Sequence, residues 1–288
     1  MLPAQTGQRS TGMNAECLSL QTPGDSTITL QRDKRLVAQQ FSRAAHSYDQ
    51  AAGIQLQVRN QLLSRLQRVN GPLFGHWLDI GCGTGQTLPR LHQLGAQQVC
   101  GIDLACGMIS SARRFASPAI ALLQADADQI PLADASCDGL FSSLMLQWSE
   151  QPHSTLREWA RVLKPGGTLA LATLLPGTQR ELLQAWRSID DKPHVNNFIS
   201  AADLQQALLQ AGLRSVSRQQ SLLQEYYDSL TSLLRNLKAI GATNVNPGRK
   251  SGLGGRRALQ QLDNAYPRDR NGLLPLSYQV QWLLLRKE

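Results

Sequence analysis

The octapeptide LDIGCGTG occupies residues 78–85, between a short apolar run at 76–80 and a helical pattern that continues to Leu94. This order predicts a buried strand, a glycine loop and a helix. A dinucleotide fingerprint would need Gly or Ala where Gln86 stands, and a P-loop would need a Gly-Lys-Ser/Thr ending that the loop lacks. The glycines let a ligand approach the backbone, and the helix N-terminus donates amides to an anionic group. Because the loop has no lysine, we expect a carboxylate-bearing ligand rather than a triphosphate.

Short apolar runs alternate with helical patterns on both sides of this loop. The runs predicted to be strands are residues 76–80, 97–103, 119–124, 137–143 and 168–175. Helices between them indicate a doubly wound α/β fold, in which helices cover both faces of a mostly parallel sheet. Two later strands, at 213–220 and 276–286, are separated by a long insertion, which suits an antiparallel strand at one side of the sheet.

Changes in composition divide the chain into four parts. Residues 1–30 lack periodicity and are predicted to be a disordered tail, and 31–288 are predicted to form a single domain. Within that domain, we expect a helical cap, a sheet core and a basic helical insertion or lid. Their predicted bounds are 33–70 for the cap, 76–220 with 276–288 for the core, and 221–275 for the insertion.

Composition excludes several classes of protein. The longest apolar runs are about four to six residues, whereas a membrane-spanning helix needs about 20, so we expect no membrane protein. The chain has 288 residues and five scattered cysteines without a CxxC pair, which argues against a zinc site, a disulfide scaffold or any other metal centre. The N-terminus lacks the features of a secretory signal, and a reducing cytoplasm is the expected location.

Two acidic residues follow predicted strands, at the sheet edge where ligands bind in such folds. Asp103 ends the second strand, where an acid can accept hydrogen bonds from ribose hydroxyls, although it could also cap the next helix. Asp126 follows the third strand and could accept a hydrogen bond from an adenine amino group, or simply stabilise a turn before Ile130.

Four motifs in order resemble the class I S-adenosylmethionine-dependent methyltransferases. They are DIGCGTG at 79–85, the acid at 103, ADADQIP at 125–131 and LKPGG at 163–167. The resemblance implies a seven-stranded sheet with an antiparallel last strand, and S-adenosylmethionine as the cofactor. It also implies a set of cofactor-binding residues: Asp79, Gly81, Gly83, Gly85, Asp103, Leu104, Met108, Asp126 and Ala127.

Segments outside these motifs resemble a narrower family, the malonyl-(acyl-carrier protein) O-methyltransferases of biotin synthesis. They are AAHSYDQAAGIQ at 44–55, HVNNF at 194–198, LKAIGATNVNPGRKSGLGGRRAL at 237–259 and LPLSYQVQWLL at 274–284. This resemblance implies methylation of the free carboxylate of a malonyl thioester on acyl-carrier protein. The sequence leaves open whether malonyl-coenzyme A is a second substrate.

The implied reaction needs positioning more than acid–base chemistry. A carboxylate with a pKa near 4 is already ionised at pH 7, so we expect no catalytic triad. The protein must instead align the carboxylate oxygen with the methyl group and exclude water. The candidates for holding the substrate are Tyr48, His194, Arg249, Arg256, Tyr266 and Tyr278.

Positive charge is concentrated near the C-terminal end. Residues 235–288 contain ten Lys and Arg but three Asp and Glu, within a chain of net charge +8. A basic patch there would attract an acidic acyl-carrier protein. Nucleic acid is the rival partner, but few aromatic residues accompany the charge, and we expect neither a nucleic-acid nor a membrane partner. Other functions left open are methylation of a free carboxylic acid or quinone, and a cofactor-binding assembly factor without methyl transfer.

Overall fold

The computed structural model describes residues 33–242 and 255–288. Within these residues, the strands run from His76–Ile80 (β1), Gln98–Asp103 (β2), Ile120–Gln124 (β3), Cys137–Ser143 (β4), Leu163–Leu174 (β5), Leu213–Tyr227 (β6) and Leu274–Lys287 (β7). They form one sheet in the order β3-β2-β1-β4-β5-β7-β6. The pairs among β1–β5 are parallel, and β7 is antiparallel to both β5 and β6. The predicted seven-stranded sheet with an antiparallel last strand is confirmed.

Helices surround the sheet, and some of them begin at a capping side chain. Their bounds are Lys34–Ala44 (α1), Tyr48–Ala51 (α2), Gly53–Asn70 (α3), Leu88–Gln93 (α4), Cys106–Ala112 (α5), Pro152–Val162 (α6), Arg180–Arg187 (α7), Ala201–Gln210 (α8), Leu230–Ala239 (α9) and Gly255–Ala265 (α10). The Asp33 side chain accepts a hydrogen bond from the Arg35 amide at the start of α1, and Ser229 and Ser232 form a reciprocal capping box at the start of α9. These caps satisfy amides that have no partner within the helix.

Apolar residues are buried on both faces of the sheet. One cluster packs α3, α4 and α7 against one face, and a second packs α6 and α8 against the other. Two buried tryptophans tie helices to the rest of the core. The Trp282 indole of β7 donates to Val58 O of α3 at 3.0 Å, and the Trp159 indole of α6 donates to Ala127 O at 2.9 Å. The doubly wound architecture predicted from the alternating pattern is therefore present.

The late strands are longer than the sequence pattern predicts. β6 continues to Tyr227, seven residues past the predicted end at 220, and β7 begins at Leu274 rather than at 276. The two strands pair along their whole length, from Leu213 opposite Lys287 to Tyr227 opposite Leu274. Backbone hydrogen bonding extends β6 through a polar, largely exposed edge that carries little apolar alternation. The insertion between the strands is shorter than predicted for the same reason.

The described residues belong to one compact unit. The predicted disordered tail at 1–30 lies outside the described residues, as does part of the insertion, 243–254. In the portion of the chain that the structure covers, no helix has both the length and the apolar character needed to cross a bilayer.

Candidate active site

Two glycines of the loop after β1, Gly81 and Gly83, line a cavity, and a third, Gly85, packs against a helix. The amides of Gly81 and Cys82 both donate to Ile102 O at 2.9 Å, which fixes the loop beside β2. Gly83 has φ +54°, and a Cβ built there would meet nothing within 4 Å, since the position faces open space. A Cβ on Gly85 would instead lie 2.8 Å from Ala112 Cβ of α5. Gly85 therefore allows the helix to pack closely, and it does not line the cavity.

A cavity opens at the carboxyl ends of β1, β2 and β4. It contains about 820 Å³ of empty space, counted out to and including its open mouth. Its apolar walls come from α1, from the loop after β2 and from the 3₁₀ turn at Leu146–Trp148. The main lining side chains are Val37, Phe41, Tyr48, Leu104, Met108, Ala127, Met145 and Trp148.

A second, more polar cavity adjoins the first beneath α3. It shares Tyr48, Gly81, Gly83 and Ser143 with the apolar cavity, so the two form adjacent compartments. Its polar lining side chains include Asp49, Arg59, Asp79, Thr84, Gln86 and Thr87. The site can therefore accept a ligand with one apolar or aromatic part and one highly polar part.

Opposite charges face each other in the polar cavity without a direct hydrogen bond. Asp79 is 2% exposed, and neither its Oδ2 atom nor Arg59 Nε has a hydrogen-bond partner among the described residues. Burial raises the pKa of Asp79 to about 7, although the charge of Arg59 and a hydrogen bond from Thr87 act to lower it. Buried polar groups without partners are costly, so these two are suited to a ligand that carries both signs of charge. An ammonium beside Asp79 and a carboxylate beside Arg59 would satisfy both.

Asp103 joins the glycine loop to the start of α5. Its carboxylate accepts hydrogen bonds from the amides of Gly83 at 3.0 Å and Ala105 at 2.8 Å. Burial raises the pKa of Asp103 to about 6, while the backbone amides of Ala105, Gly83 and Leu104 act in the opposite direction. The N-cap of α5 is Ala105, and the helix has no side-chain cap, so Asp103 binds the amide of the capping residue without being the cap itself. Asp103 also lines the apolar cavity, where a ligand hydroxyl could reach it.

Asp126 lines the same cavity, but a lysine already engages it. Lys34 Nζ of α1 lies 2.7 Å from Asp126 Oδ2 and 2.7 Å from Asp128 Oδ2. Burial alone would lower the pKa of Lys34, but its hydrogen bonds to both carboxylates raise it. The other oxygen of Asp126, Oδ1, accepts a hydrogen bond from the Asp128 amide at 2.9 Å. These contacts hold α1 across the end of β3, and Ala127 beside them is left as an apolar wall of the cavity.

Aromatic side chains from α1, α2 and the 3₁₀ turn after β4 line one side of the apolar cavity. The rings of Phe41 and Trp148 meet edge to face with centroids 5.1 Å apart, and Tyr48 lies 6.5 Å from Phe41. Burial, followed by the charges of Asp103 and Asp49, raises the pKa of Tyr48, so its hydroxyl stays protonated. Tyr48 is the one predicted substrate residue among the described side chains that lines the cavities.

Three other predicted substrate residues occupy different places. His194 stacks on Trp186 with centroids 3.7 Å apart, and its Nε2 atom is 2.6 Å from Asp190 Oδ1. Tyr266 donates to Pro275 O at 2.8 Å, and the Tyr278 hydroxyl is 3.5 Å from Glu225 Oε2. None of the three lines either cavity. These aromatic rings pack beneath the late strands and helices, where apolar burial and one hydrogen bond each account for them.

The side chains of the two predicted arginines are outside the part of the chain that the structure describes. Arg249 lies outside the described residues, and Arg256 lies in α10 with its side chain outside the described part. The sequence interpretation missed three residues that the structure brings to the site, namely Lys34, Phe41 and Arg59. Their helical spacing showed that they belong to helices, but the packing of those helices over the loop places them at the cavities.

The basic residues at 235–288 do not form one patch. Arg286 donates to Gly166 O, and Lys287 donates to Leu163 O. Both acceptors lie at the start of β5, at the opposite edge of the sheet from the cavities. Arg268 pairs with Asp263 at 2.8 Å. The expectation of a single basic patch is therefore wrong, because the antiparallel direction of β7 carries its last cations away from the site.

Comparisons with known proteins agree with this geometry. Residues 78–171 match a family described as a methyltransferase domain. The chain is 41% identical over 266 residues to the biotin biosynthesis bifunctional protein BioHC of Cellvibrio japonicus, covering 91% of this chain and 52% of that protein. It thus spans about half the length of that bifunctional relative.

A shorter relative is covered almost completely. The chain is 37% identical to the malonyl-(acyl-carrier protein) O-methyltransferase of Hamiltonella defensa, covering 89% of this chain and 96% of that protein. Among solved structures, the YcgJ protein of Bacillus subtilis superimposes with a TM-score of 0.56 at 18% identity, covering 80% of this chain and 99% of that one. At that identity, the structural likeness concerns the fold alone.

Proposed function

This chain belongs to the malonyl-(acyl-carrier protein) O-methyltransferase family, and we propose that it transfers a methyl group from S-adenosylmethionine to the free carboxylate of a malonyl thioester on acyl-carrier protein. The product would be the methyl ester, which removes a negative charge and serves biotin synthesis. The observation that supports this best is the pair of adjacent cavities, one apolar and one polar, the polar one being lined by Asp79 and Arg59, whose Oδ2 and Nε atoms have no hydrogen-bond partner among the described residues.

The two cavities fit the two ends of S-adenosylmethionine. In the polar cavity, Asp79 would hold the ammonium of the methionine part and Arg59 its carboxylate, which satisfies the atoms that lack partners. Asp103 would accept hydrogen bonds from the ribose hydroxyls. The adenine would lie in the apolar cavity beside Leu104 and Ala127. Lys34 occupies one oxygen of Asp126, so an adenine amino group would have to share that carboxylate.

Methyl transfer in this site would depend on alignment. When bound, S-adenosylmethionine supplies a methyl group attached to a positively charged sulfur, and the leaving group is the neutral thioether that contains this sulfur. Tyr48 lines both cavities and so stands where the two ends of the cofactor would meet. Phe41 and Trp148 form an apolar cover that would exclude water from the reacting atoms. No residue has to remove a proton, because the malonyl carboxylate is ionised at pH 7.

Partner and location are part of the same proposal. The relatives are named for acyl-carrier protein, and we carry that partner to this chain, with malonyl-coenzyme A as a second thioester to test. A reducing cytoplasm is consistent with the four cysteines of the described residues, which are all free thiols. Nucleic acid and membranes are not proposed as partners.

Intact-mass spectrometry tests the reaction directly. Malonyl-acyl-carrier protein is incubated with this protein and S-adenosylmethionine, and the expected result is a gain equal to one methyl group in place of one proton. Mild ester hydrolysis should remove that gain. The Asp103→Ala variant serves as a control that should bind the cofactor poorly and methylate slowly. A parallel reaction with malonyl-coenzyme A measures how much of the recognition depends on the carrier.

Other outcomes distinguish the remaining functions. Methylation of a free dicarboxylic acid or a quinone, without methylation of the thioester, would replace the proposed substrate while keeping the enzyme class. Tight cofactor binding by calorimetry without transfer to any of these acceptors would favour an assembly factor. Either result would overturn the proposal.

A further inference from the structure

Two helices beside the site carry exposed cations that form no ion pair. Arg35 and Arg43 are exposed on α1, and Arg235 and Lys238 are exposed on α9. We call these four residues the basic strip. None of them takes part in the ion pairs found among the described residues. α1 and α9 contain no Asp or Glu. Of the carboxylates that flank them, Asp49 pairs with Arg114, which follows α5, and Asp33 and Asp228 belong to none of these ion pairs.

Helical spacing sets how these cations are arranged on each helix. Arg35 and Arg43 are eight residues apart, so their directions differ by about 80° around α1, and they lie about 12 Å apart along its axis. Arg235 and Lys238 are three residues apart and are neighbours on one face of α9. The spacing gives each helix a cationic side instead of scattered charges.

Specific contacts hold α9 and the turn after it against α1, α2 and the turn between them, so the cations stand on neighbouring helices. The Ser47 hydroxyl donates to Ala239 O at 3.1 Å, and the Asn236 amide group donates to Ala51 O at 3.1 Å. Gly241, in the turn after α9, has φ +71°, and a Cβ there would lie only 3.0 Å from Phe41 Cδ1. Close approach of the turn to Phe41 therefore requires glycine at this position.

The inner side of α1 lines the apolar cavity. Val37, Ala38 and Phe41 face that cavity, whereas Arg35 and Arg43 lie on the exposed side of the same helix. The α1 part of the basic strip is therefore separated from the apolar cavity by the width of that helix. A partner that rests on the strip would be close enough to pass a substrate arm into the cavity.

We propose that the basic strip is the surface on which the acidic acyl-carrier protein docks, and this inference rests on the proposed function. The partner it fits is a protein face that presents several carboxylates to α1 and α9. Exposed complementary charges speed encounter and orient the partner, while they contribute only modestly to each pairwise contact. The strip thereby replaces the wider C-terminal patch that composition suggested, since Arg286 and Lys287 lie at the far edge of the sheet.

A matched pair of double variants tests the strip. Arg43→Glu with Lys238→Glu reverses two charges of the strip, and Arg68→Glu with Arg214→Glu makes the same change in net charge on exposed residues elsewhere. Initial rates are measured with malonyl-acyl-carrier protein and with malonyl-pantetheine, which lacks the carrier. The first double variant should raise KM for the carrier substrate about tenfold. Its KM for malonyl-pantetheine and its Kd for S-adenosylmethionine should stay within twofold of wild type.

Salt provides a second readout. Because exposed charges are screened, raising NaCl from about 50 to 300 mM should raise the wild-type KM for the carrier substrate and change that of the strip variant little. The proposal is overturned if the two double variants behave alike, or if reversing the strip leaves the carrier KM unchanged. Calorimetric binding of malonyl-acyl-carrier protein separates the two proposals. If wild type binds the carrier through the strip but methylates no thioester, the proposed function fails and the docking surface stands.

Discussion

Lowering the pH should weaken binding of S-adenosylmethionine, since its ammonium would pair with ionised Asp79. Burial raises the pKa of Asp79 to about 7, against the opposing effects of Arg59 and Thr87. With that value, about half of the Asp79 carboxyls are ionised at pH 7 and about 3% at pH 5.5. The cofactor Kd should therefore rise about fifteenfold over this interval. Burial raises the pKa of Asp103 to about 6. If the ribose binds only the ionised form of Asp103, the cofactor Kd should rise by about a further fourfold.

Isothermal titration calorimetry at pH 5.5, 6.0, 6.5 and 7.0 measures this dependence. Asp79→Asn removes the titrating group, so the variant should bind more weakly at pH 7 and show only the shallow slope expected from Asp103. Asp191→Asn, at an exposed loop position, serves as a control that should keep the wild-type slope. The reasoning fails if the wild-type Kd changes less than threefold, or if Asp79→Asn keeps the full slope.

The same two carboxyls predict how cofactor-free stability depends on pH. Their folded pKa values of about 7 and about 6 lie above the value of about 3.9 for an exposed aspartate. Between these limits, the folded state binds more protons than the unfolded state, so stability falls as the pH rises from about 4 to about 7 and then levels off. Tm should fall between pH 5 and 7.5, and the fall should be smaller in Asp79→Asn. An equal fall in both proteins would contradict this account.

Three further predictions concern neighbouring positions. Gly83→Ala should lower the free energy of unfolding by about 1–2 kcal/mol because of its positive φ, and it should also weaken cofactor binding. Gly85→Ala should lower it by about 2–4 kcal/mol, because the new Cβ would lie 2.8 Å from Ala112 Cβ. Urea unfolding measures both, and equal stabilities would argue against the two separate roles. Lys34→Met should raise the cofactor Kd about fivefold and speed hydrogen exchange in α1, and unchanged exchange would show that its ion pairs do not hold the helix. Asp103→Ala should raise the cofactor Kd about a hundredfold, and an unchanged Kd would remove its ribose assignment.

The sequence predicts the sheet and the edge at which the cavities open, because their signals are local. The strand before Gly81, the acid at the end of β2 and the turn at Asp126 each follow from a few adjacent residues and from the rule that parallel strands end at one edge. Contacts between distant segments leave no such signal. Nothing adjacent to Arg59 in the chain shows that α3 brings it over Asp79, and nothing near Lys34 shows that it meets Asp126, 92 residues away.

Aromatic and cationic residues near the C-terminal end were harder to assign for a different reason. Tyr266 and Tyr278 carry hydroxyls that suit substrate binding, yet a tyrosine in a core needs only one acceptor for its hydroxyl, and Pro275 O and Glu225 supply these. Likewise, an excess of Lys and Arg in a segment does not place them on one surface. The direction of β7 and the length of β6 decide which cations lie near the site, and both depend on pairing along the sheet edge.

The residues that line the cavities come partly from the matched methyltransferase domain and partly from helices outside it. The match to a methyltransferase domain covers residues 78–171, which contain the glycine loop, Asp103 and Asp126. Phe41, Tyr48 and Arg59 lie before that range, on helices that cover the cavities, and the α9 part of the basic strip lies after it. Residues 78–171 thus supply most groups that would contact the nucleoside, while the flanking helices supply the cover and the cationic surface. Selectivity for a carrier-bound carboxylate should therefore reside in the flanking helices, and substitutions on their outer faces should change KM for the carrier while leaving the cofactor Kd nearly constant.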